Sequence, residues 1–348
     1  MDFDFTEIDA IINARSMAIV GASGKPAKFG SYFTGVQLSF GFKGPVYLVN
    51  PTEVEIMGQQ VYPDVASLPE APELVYITIP AHRSMEVLKD CAGTGVKAVI
   101  ILAAGFKEIG PEGEALEKEA LRLAREGGFR IIGPNCFGLY NPRNRLTLLP
   151  GYDFSTTPGN TAFISQSGGF SAHVGRMGNS LGIDFSAIVS YGNASDLDES
   201  DFLRYFARDP QTDVIAGYLE GTRDGREFFQ ALREASSSKD VVLWKVGKSE
   251  SSQRAVVSHT GSLAGSSLVW EAMMRQCGVI EASGVDELCD VLLALKYLGR
   301  NPGRRLLLSG GGGGLGTYAA DLAEAEGLEV PPLEEEILAR MQEILNRA

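Results

Sequence analysis

The chain has 348 residues, enough for two or three domains, with a formal net charge of −13 and 44% hydrophobic residues. That charge argues against nucleic acid or an anionic membrane as the main partner, because both require basic patches. It leaves an anionic small ligand open, since backbone N–H groups at helix N-termini hold phosphate without net positive charge.

In chain order, the acidic start MDFDFTEIDA has no apolar stretch of signal length, and the longest apolar runs are strand-sized, so a cytoplasmic protein without a bilayer span is expected. Met17 to Val20 reads as a buried parallel strand that ends in a glycine-rich turn, Gly21-Ala22-Ser23-Gly24, with a helix through Phe29 to Phe40. Further strands are expected over Val46 to Val49, Leu74 to Ile79, Ala98 to Leu102 and Arg130 to Ile132, with helices from Ser84 and from Glu112. Apolar strands alternating with amphipathic helices predict a doubly wound parallel sheet, whose ligands sit at the strands' carboxyl ends.

A nicotinamide cofactor is the first alternative for such a sheet. Counting G-x-G-x-x-G from Gly21 puts Ser23 and Pro26 where glycines are needed, and Asn50-Pro51 stands where an acid would bind the ribose. The turn still favours a nucleotide phosphate. Cys91, Cys136, Cys277 and Cys289 form no CxxC pair, and no Cys/His cluster has metal spacing, so free thiols and no metal site are expected. Cys136 reads as a small buried residue; His82, at a strand end, reads equally as lining the ligand site or as a cap or surface residue.

The strings GASGKPAKFG, YLVNP, GQQVYPDVASLPEAPELVYITIPA, AVIILAAGFKEIGPEG and IIGPNCFGLYNP, in this order and spacing, resemble the CoA-binding domain of NDP-forming acyl-CoA synthetases, relatives of the succinyl-CoA synthetase α subunit. The resemblance implies coenzyme A as the ligand. Its contacts would be Gly21, Ser23, Gly24, Lys25, Asn50, Pro51, Ile79, Pro80 and Asn135.

Residues 146 to 160, rich in Pro, Gly and Thr, read as a linker to a second α/β unit. Its strands are expected over 161–165, 185–189, 214–219 and 241–244, with helices over 170–181, from about 198, over 226–236 and over 268–277. The turn Ser165-Gln166-Ser167-Gly168-Gly169 aims backbone N–H groups and a helix dipole at a phosphate. Glu220 is a strand-end carboxylate. His259, one of three histidines, lies in the loop from Lys245 to Gly265, whose Gly, Ser, Thr and Lys suit an anion. A carboxylate that accepts one ring proton fixes the tautomer and makes the other nitrogen the nucleophile. His173, inside the first helix of this unit, reads as structural.

SQSGG, SYGNASDLDESDFLRYFARDPQTDVIAGYLEG and SHTGSLAG resemble the succinyl-CoA-ligase-like flavodoxin-type domain of the same family. The resemblance implies that His259 becomes a phosphohistidine oriented by Glu220. The phosphate would be held by Ser165, Gln166, Ser167, Gly168 and Gly169, with Ser258, Thr260 and Gly261 flanking the histidine.

Arg304 to Ser309, Gly310 to Gly316 and Tyr318 to Glu326 read as strand, glycine-rich turn and helix, followed by a charged helix over 334–346. By resemblance this begins a third, CoA-ligase domain that stops incomplete. The expected organisation is therefore α/β: a Rossmann-like CoA-binding domain (1–145), a flavodoxin-like domain (146–302) and a partial third domain (303–348). The implied activity interconverts acyl-CoA, ADP and phosphate with acid, CoA and ATP, with ADP/ATP and Mg2+ at a separate ATP-grasp β-type subunit. A CoA-binding regulatory module without turnover is the alternative. The acyl substrate and the oligomeric state are not legible in the residues.

Overall fold

A computed structural model describes residues 3–252, 254, 266–299, 303–310 and 312–345; His259, with Ser258, Thr260 and Gly261, lies outside the described residues. Helix α1 (Phe5–Ile12) starts on Asp4, whose carboxylate accepts the Thr6 and Glu7 amides. Strands β1 (Met17–Val20), β2 (Val46–Val49), β3 (Glu55–Ile56), β4 (Gln59–Tyr62), β5 (Leu74–Ile77), β6 (Ala98–Ile101) and β7 (Arg130–Ile132) form a sheet in the order β3-β4-β2-β1-β5-β6-β7. All neighbours are parallel except the β3–β4 hairpin. With β3 set aside, this is the doubly wound order that reverses direction between β1 and β5, and that reversal opens the ligand crevice. Helices α2 (Phe29–Phe40), α3 (Ala81–Cys91) and α4 (Pro111–Gly127) supply the crossovers.

The chain passes to a second sheet between Ile132 and Gly138. Strand β8 (Gly138–Asn141) pairs antiparallel with β11 (Phe185–Ser190), and β9 (Leu146–Thr147) pairs with β8. The predicted linker therefore begins as a strand, and Leu148, Leu149 and Phe154 are buried. Its leucines pack as core, so its Pro/Gly/Thr content is a misleading signal. Strands β10 (Thr161–Ser165), β12 (Val214–Leu219), β13 (Asp240–Lys245) and β14 (Ile280–Ala282) complete the order β14-β13-β12-β10-β11-β8-β9. Its parallel part reverses between β10 and β12, as in flavodoxin-like sheets. Between these strands run α5 (Gly168–Leu181), α6 (Glu199–Arg208), α7 (Gly225–Ser238) and α8 (Ser267–Cys277), with α9 (Val285–Leu298) after β14.

Residues 1–293 form one compact unit. An apolar cluster runs from Ile19 and Tyr76 of the first sheet and Phe33 of α2 through Leu139 and Leu148 to Ile164, Val189 and Leu219 of the second sheet. Residues 294–348 form another unit, with α10 (Gly313–Ala325) and α11 (Glu335–Leu345). The strand predicted over Arg304 to Ser309 is reduced to a bridge between Arg305 and Glu329. A lone extended segment has no ladder to propagate when only one short stretch runs beside it. No described helix is long and apolar enough to cross a membrane.

Candidate active site

At the crevice of the first sheet, Gly21 leaves β1 with φ +89°, where a Cβ would stand 2.5 Å from Ile79 Cγ2 and 2.7 Å from Thr78 Oγ1. A Cβ on Gly30 would stand 1.8 Å from the Gly21 carbonyl oxygen, so α2 lies directly against the turn. Ser23 is buried; its hydroxyl accepts the Lys25 amide (3.1 Å) and donates to Glu53 Oε1 (2.9 Å). The Gly24 amide donates to Glu53 Oε2 (2.9 Å). Asn50 ties the end of β2 to this turn: its Nδ2 donates to the Ala22 carbonyl (2.7 Å), while its Oδ1 accepts the Thr52 and Glu53 amides. Lys25, Pro51 and Pro80 are exposed and Ile79 is half-buried. Asn135 stands apart from this group, beyond β7 and three strands along from β1.

At the crevice of the second sheet, the ends of β10 and β12 bring the predicted turn and Glu220 together. Ser165, fully buried, braces the turn: its hydroxyl accepts the Ser167 amide (3.0 Å) and donates to the Ser167 carbonyl (2.8 Å). Ser167 caps α5 by accepting the Phe170 amide (3.3 Å). Gln166 reaches across, and its Oε1 accepts the backbone amides of Glu220 (2.5 Å) and Gly221 (3.1 Å). Glu220 is 4% exposed, and its carboxylate accepts the Tyr218 hydroxyl (3.3 Å). Phe170, Tyr218 and Trp244 pack with ring centroids 4.6–4.9 Å apart and seat the first turn of α5 on the strand ends. The first-turn amides of a helix have no intrahelical acceptor, so the start of α5 presents donors and a positive dipole end.

A cavity of about 220 Å³ lies before this turn, lined by Gln166 to Gly169 and by Gly192 and Asn193, with Leu102, Asn135, Cys136 and Phe137 opposite. Asn135 thus lines the same cavity as the turn that opens α5, with φ +59° and its Nδ2 3.4 Å from Asn193 Oδ1. Asn193 also donates to Glu108 (2.6 Å), and its carbonyl accepts the Lys107 ammonium (2.5 Å). Burial pushes the Glu108 carboxyl up, but the donors from Asn193, Gly105 and Phe106 outweigh it and hold it below the usual range. Cys136 is buried as expected, and burial pushes its thiol up, away from nucleophilic use. His82 is exposed on the first turn of α3 and His173 on the second turn of α5.

Lys245 opens the histidine loop as read from the sequence, but it ends β13 in the fold, and nothing in the sequence singles it out among the lysines of that stretch. It is 3% exposed, and its ammonium donates to the Glu220 carbonyl (3.0 Å) and the Val246 carbonyl, 5.1 Å from the Trp270 ring centroid. Burial lowers its pKa to about 8, with Lys248 adding repulsion against the opposing pull of Glu220 and Glu281. Glu53 is equally inconspicuous in sequence, because the position where an acid is expected after β2 is held by Asn50-Pro51.

Glu199, buried at the start of α6, is pushed up from 4.5 to about 7, first by burial and then by Asp198 beside it. Below its unfolded pKa the carboxyl is neutral in both states. As pH rises through the folded value, the unfolded chain releases the proton more easily, so this contribution to stability is lost between about pH 4.5 and 7. Glu199→Gln should therefore gain melting temperature over the parent, by a margin on the order of a few °C larger at pH 8 than at pH 5. Calorimetry at the two pH values checks this; an equal margin at both counts against it.

Comparison with known proteins falls on the same two sheets. Residues 15–142 match a CoA binding domain family and residues 158–295 a succinyl-CoA ligase like flavodoxin domain family. Acetate–CoA ligase [ADP-forming] I of Archaeoglobus fulgidus is 40% identical over 97% of this chain, which spans 49% of that protein. The α subunit of acetate–CoA ligase [ADP-forming] I of Pyrococcus furiosus is 38% identical over 93% of this chain, which spans 71% of that subunit. The dinucleotide-forming acetyl-coenzyme A synthetase 1 of Ca. Korarchaeum cryptofilum, solved with phosphate and ADP, superposes with a TM-score of 0.84 at 36% identity. That match covers 97% of this chain and 72% of the other.

Proposed function

Because the chain belongs to the family of ADP-forming acyl-CoA ligases, in their α-type portion, we propose that it supplies the CoA site and the phosphoryl-accepting histidine of such a ligase. Acetate, named in the α-subunit relatives, is the first acid to test. One observation carries the reading: Glu220 is buried, with its backbone amide held by Gln166 and its carboxylate accepting the Tyr218 hydroxyl, and Gln166 belongs to the turn that opens α5 and lines the cavity together with Asn135. That is the setting a histidine needs to receive a phosphoryl group, with an acceptor for one ring proton and helix N–H donors for the phosphoryl oxygens.

In the proposed reaction, a phosphate oxygen attacks the thioester carbonyl; the C–S bond breaks and the thiolate takes a proton as free CoA. A ring nitrogen of His259 then attacks phosphorus in the acyl phosphate, and the P–O bond to the acyl group breaks to release the carboxylate. ADP oxygen displaces the histidine to form ATP, at a separate ATP-grasp subunit that holds nucleotide and Mg2+. Such a phosphoryl transfer asks mainly for positioning and fixed dipoles. Gly168 and Gly169 would face the phosphoryl oxygens, and Asn135 would face the reacting end of the acyl group from across the cavity. The Gly21–Gly24 turn, with Asn50 and Ile79, suits a CoA phosphate because its hydroxyl and amide donors already converge on a carboxylate. Cytoplasmic residence accords with the free thiols of Cys91, Cys136 and Cys289.

The test is calorimetric titration of the chain with CoA and with NAD. Saturable binding of CoA and none of NAD is expected; the reverse would return the nicotinamide reading. CoA binding without phosphate incorporation, even beside an ATP-grasp subunit with ATP, would make the chain a binding module instead.

A further inference from the structure

The glycine-rich turn at the end of β1 already holds an anion of the protein's own. From the geometry, we infer that Glu53 is an internal competitor for the phosphate site of this turn, and that a phosphate-bearing ligand binds only by displacing it. The inference rests on the CoA reading above and adds a resident gate to it.

Both carboxylate oxygens of Glu53 are engaged, Oε1 by the Ser23 hydroxyl and Oε2 by the Gly24 amide, each at 2.9 Å. These are two of the few donors this turn has to offer. A Cβ on Gly24 would stand 3.0 Å from Glu53 Oε2, so the carboxylate sits against the backbone where a ligand oxygen would have to come. The placement is built by the chain. Asn50 Oδ1 accepts the Thr52 and Glu53 amides, at 2.9 and 3.3 Å, and folds the segment after β2 back towards β1. Asn50 Nδ2 locks that fold to the Ala22 carbonyl at 2.7 Å. Lys25 and Lys28 lie close enough to favour the ionised carboxylate, though it is the Gly24 amide first, and then the Ser23 hydroxyl, that hold its pKa below the usual range. The gate therefore keeps its charge throughout the neutral range.

Two anions cannot share a hydroxyl and an amide at hydrogen-bond distance, because their mutual repulsion is uncompensated. The apparent affinity for a phosphate ligand is then the intrinsic affinity multiplied by the fraction of chains in which Glu53 has swung away. The turn donors set that fraction, and a carboxylate accepting from an amide and a hydroxyl is held more firmly than a neutral amide would be. Removing the carboxylate leaves the donors open, and it leaves the two lysines without their internal counter-charge.

The experiment is calorimetric titration of CoA into the whole chain as parent, Glu53→Ala and Glu53→Gln. Melting curves confirm that all three are folded; two variants are used so that one failure to fold does not end the test. The expected result is tighter CoA binding, by about tenfold in Glu53→Ala and less in Glu53→Gln, whose amide oxygen still competes. Binding by the variants with none by the parent supports the gate equally. Unchanged binding in both variants, beside clear binding by the parent, overturns the gate and leaves the CoA site intact. Weaker binding in both overturns it as well and makes Glu53 a ligand contact. If parent and variants all fail to bind CoA, the CoA reading itself has failed and the gate falls with it.

Discussion

His259→Asn should abolish phosphate incorporation into this chain, to the level of a blank, when it is incubated with an acyl-CoA and phosphate, or with ATP and the proposed ATP-grasp subunit. The parent should carry an acid-labile label. Asparagine keeps the polarity and approximate size of the side chain but has no nucleophilic nitrogen, so the covalent step has no acceptor. A variant that labels as well as the parent would remove the histidine from the mechanism. Glu220→Gln provides the graded companion. Glu220 is buried, its backbone amide is held by Gln166 and its carboxylate accepts the Tyr218 hydroxyl, so the group is fixed before any imidazole arrives. An amide in its place no longer selects the tautomer or stabilises the charged ring, and labelling should slow by roughly 10²- to 10⁴-fold. Equal rates for Glu220→Gln and the parent would leave the carboxylate a structural part only.

Arg130→Ala should be among the most destabilising single changes in residues 1–293. Arg130 ends the first sheet as part of β7, and its guanidinium is clamped by both oxygens of Asp196 (2.9 Å each) and by Glu7 (2.7 Å). The Asp196 carboxylate also accepts the Ile131 amide (2.8 Å), and the Ser195 and Leu197 amides donate to the carbonyls of Gly133 and Ile131. The segment after β11 of the second sheet is thereby sewn to β7 of the first. Burial by itself would lower the Arg130 pKa; the bonds and charges of Asp196 and Glu7 overcome it and raise it instead. Truncation leaves Asp196 desolvated without its counter-ion, a loss of about 3–5 kcal/mol. Urea unfolding of parent and variant gives the value, and the double change Arg130→Met with Asp196→Leu should recover a large part of it. A loss below about 1 kcal/mol would mean that solvent reaches the pair and screens it.

Residue patterns along the chain are enough to dictate the kind of fold and the chemistry of its turns. Continuous apolar runs such as Met17 to Val20 and Thr161 to Ser165 become fully buried strands, because a parallel strand covered on both faces has no polar side to show. Gly21, the SQSGG turn and Glu220 are legible since each follows such a strand directly, and strand ends are where these sheets bind.

How each of those polar groups is used follows only from the packed fold. Residues far apart in the chain meet through strand order, so no spacing shows that Gln166 holds the Glu220 amide or that Asn135 lines the cavity at the SQSGG turn. Ser165 looks like a phosphate ligand in sequence, but its hydroxyl is consumed within its own turn, since a fully buried hydroxyl must find partners at hand. Residues 146–149 look like linker and are core. Glu53 is hidden by three residues of offset: Asn50 folds the chain back and turns an apparently solvated acid into the anion on the glycine-rich turn. Local sequence fixes which groups carry donors and charge. The packing of one strand end against another fixes which of those groups remain available to a ligand.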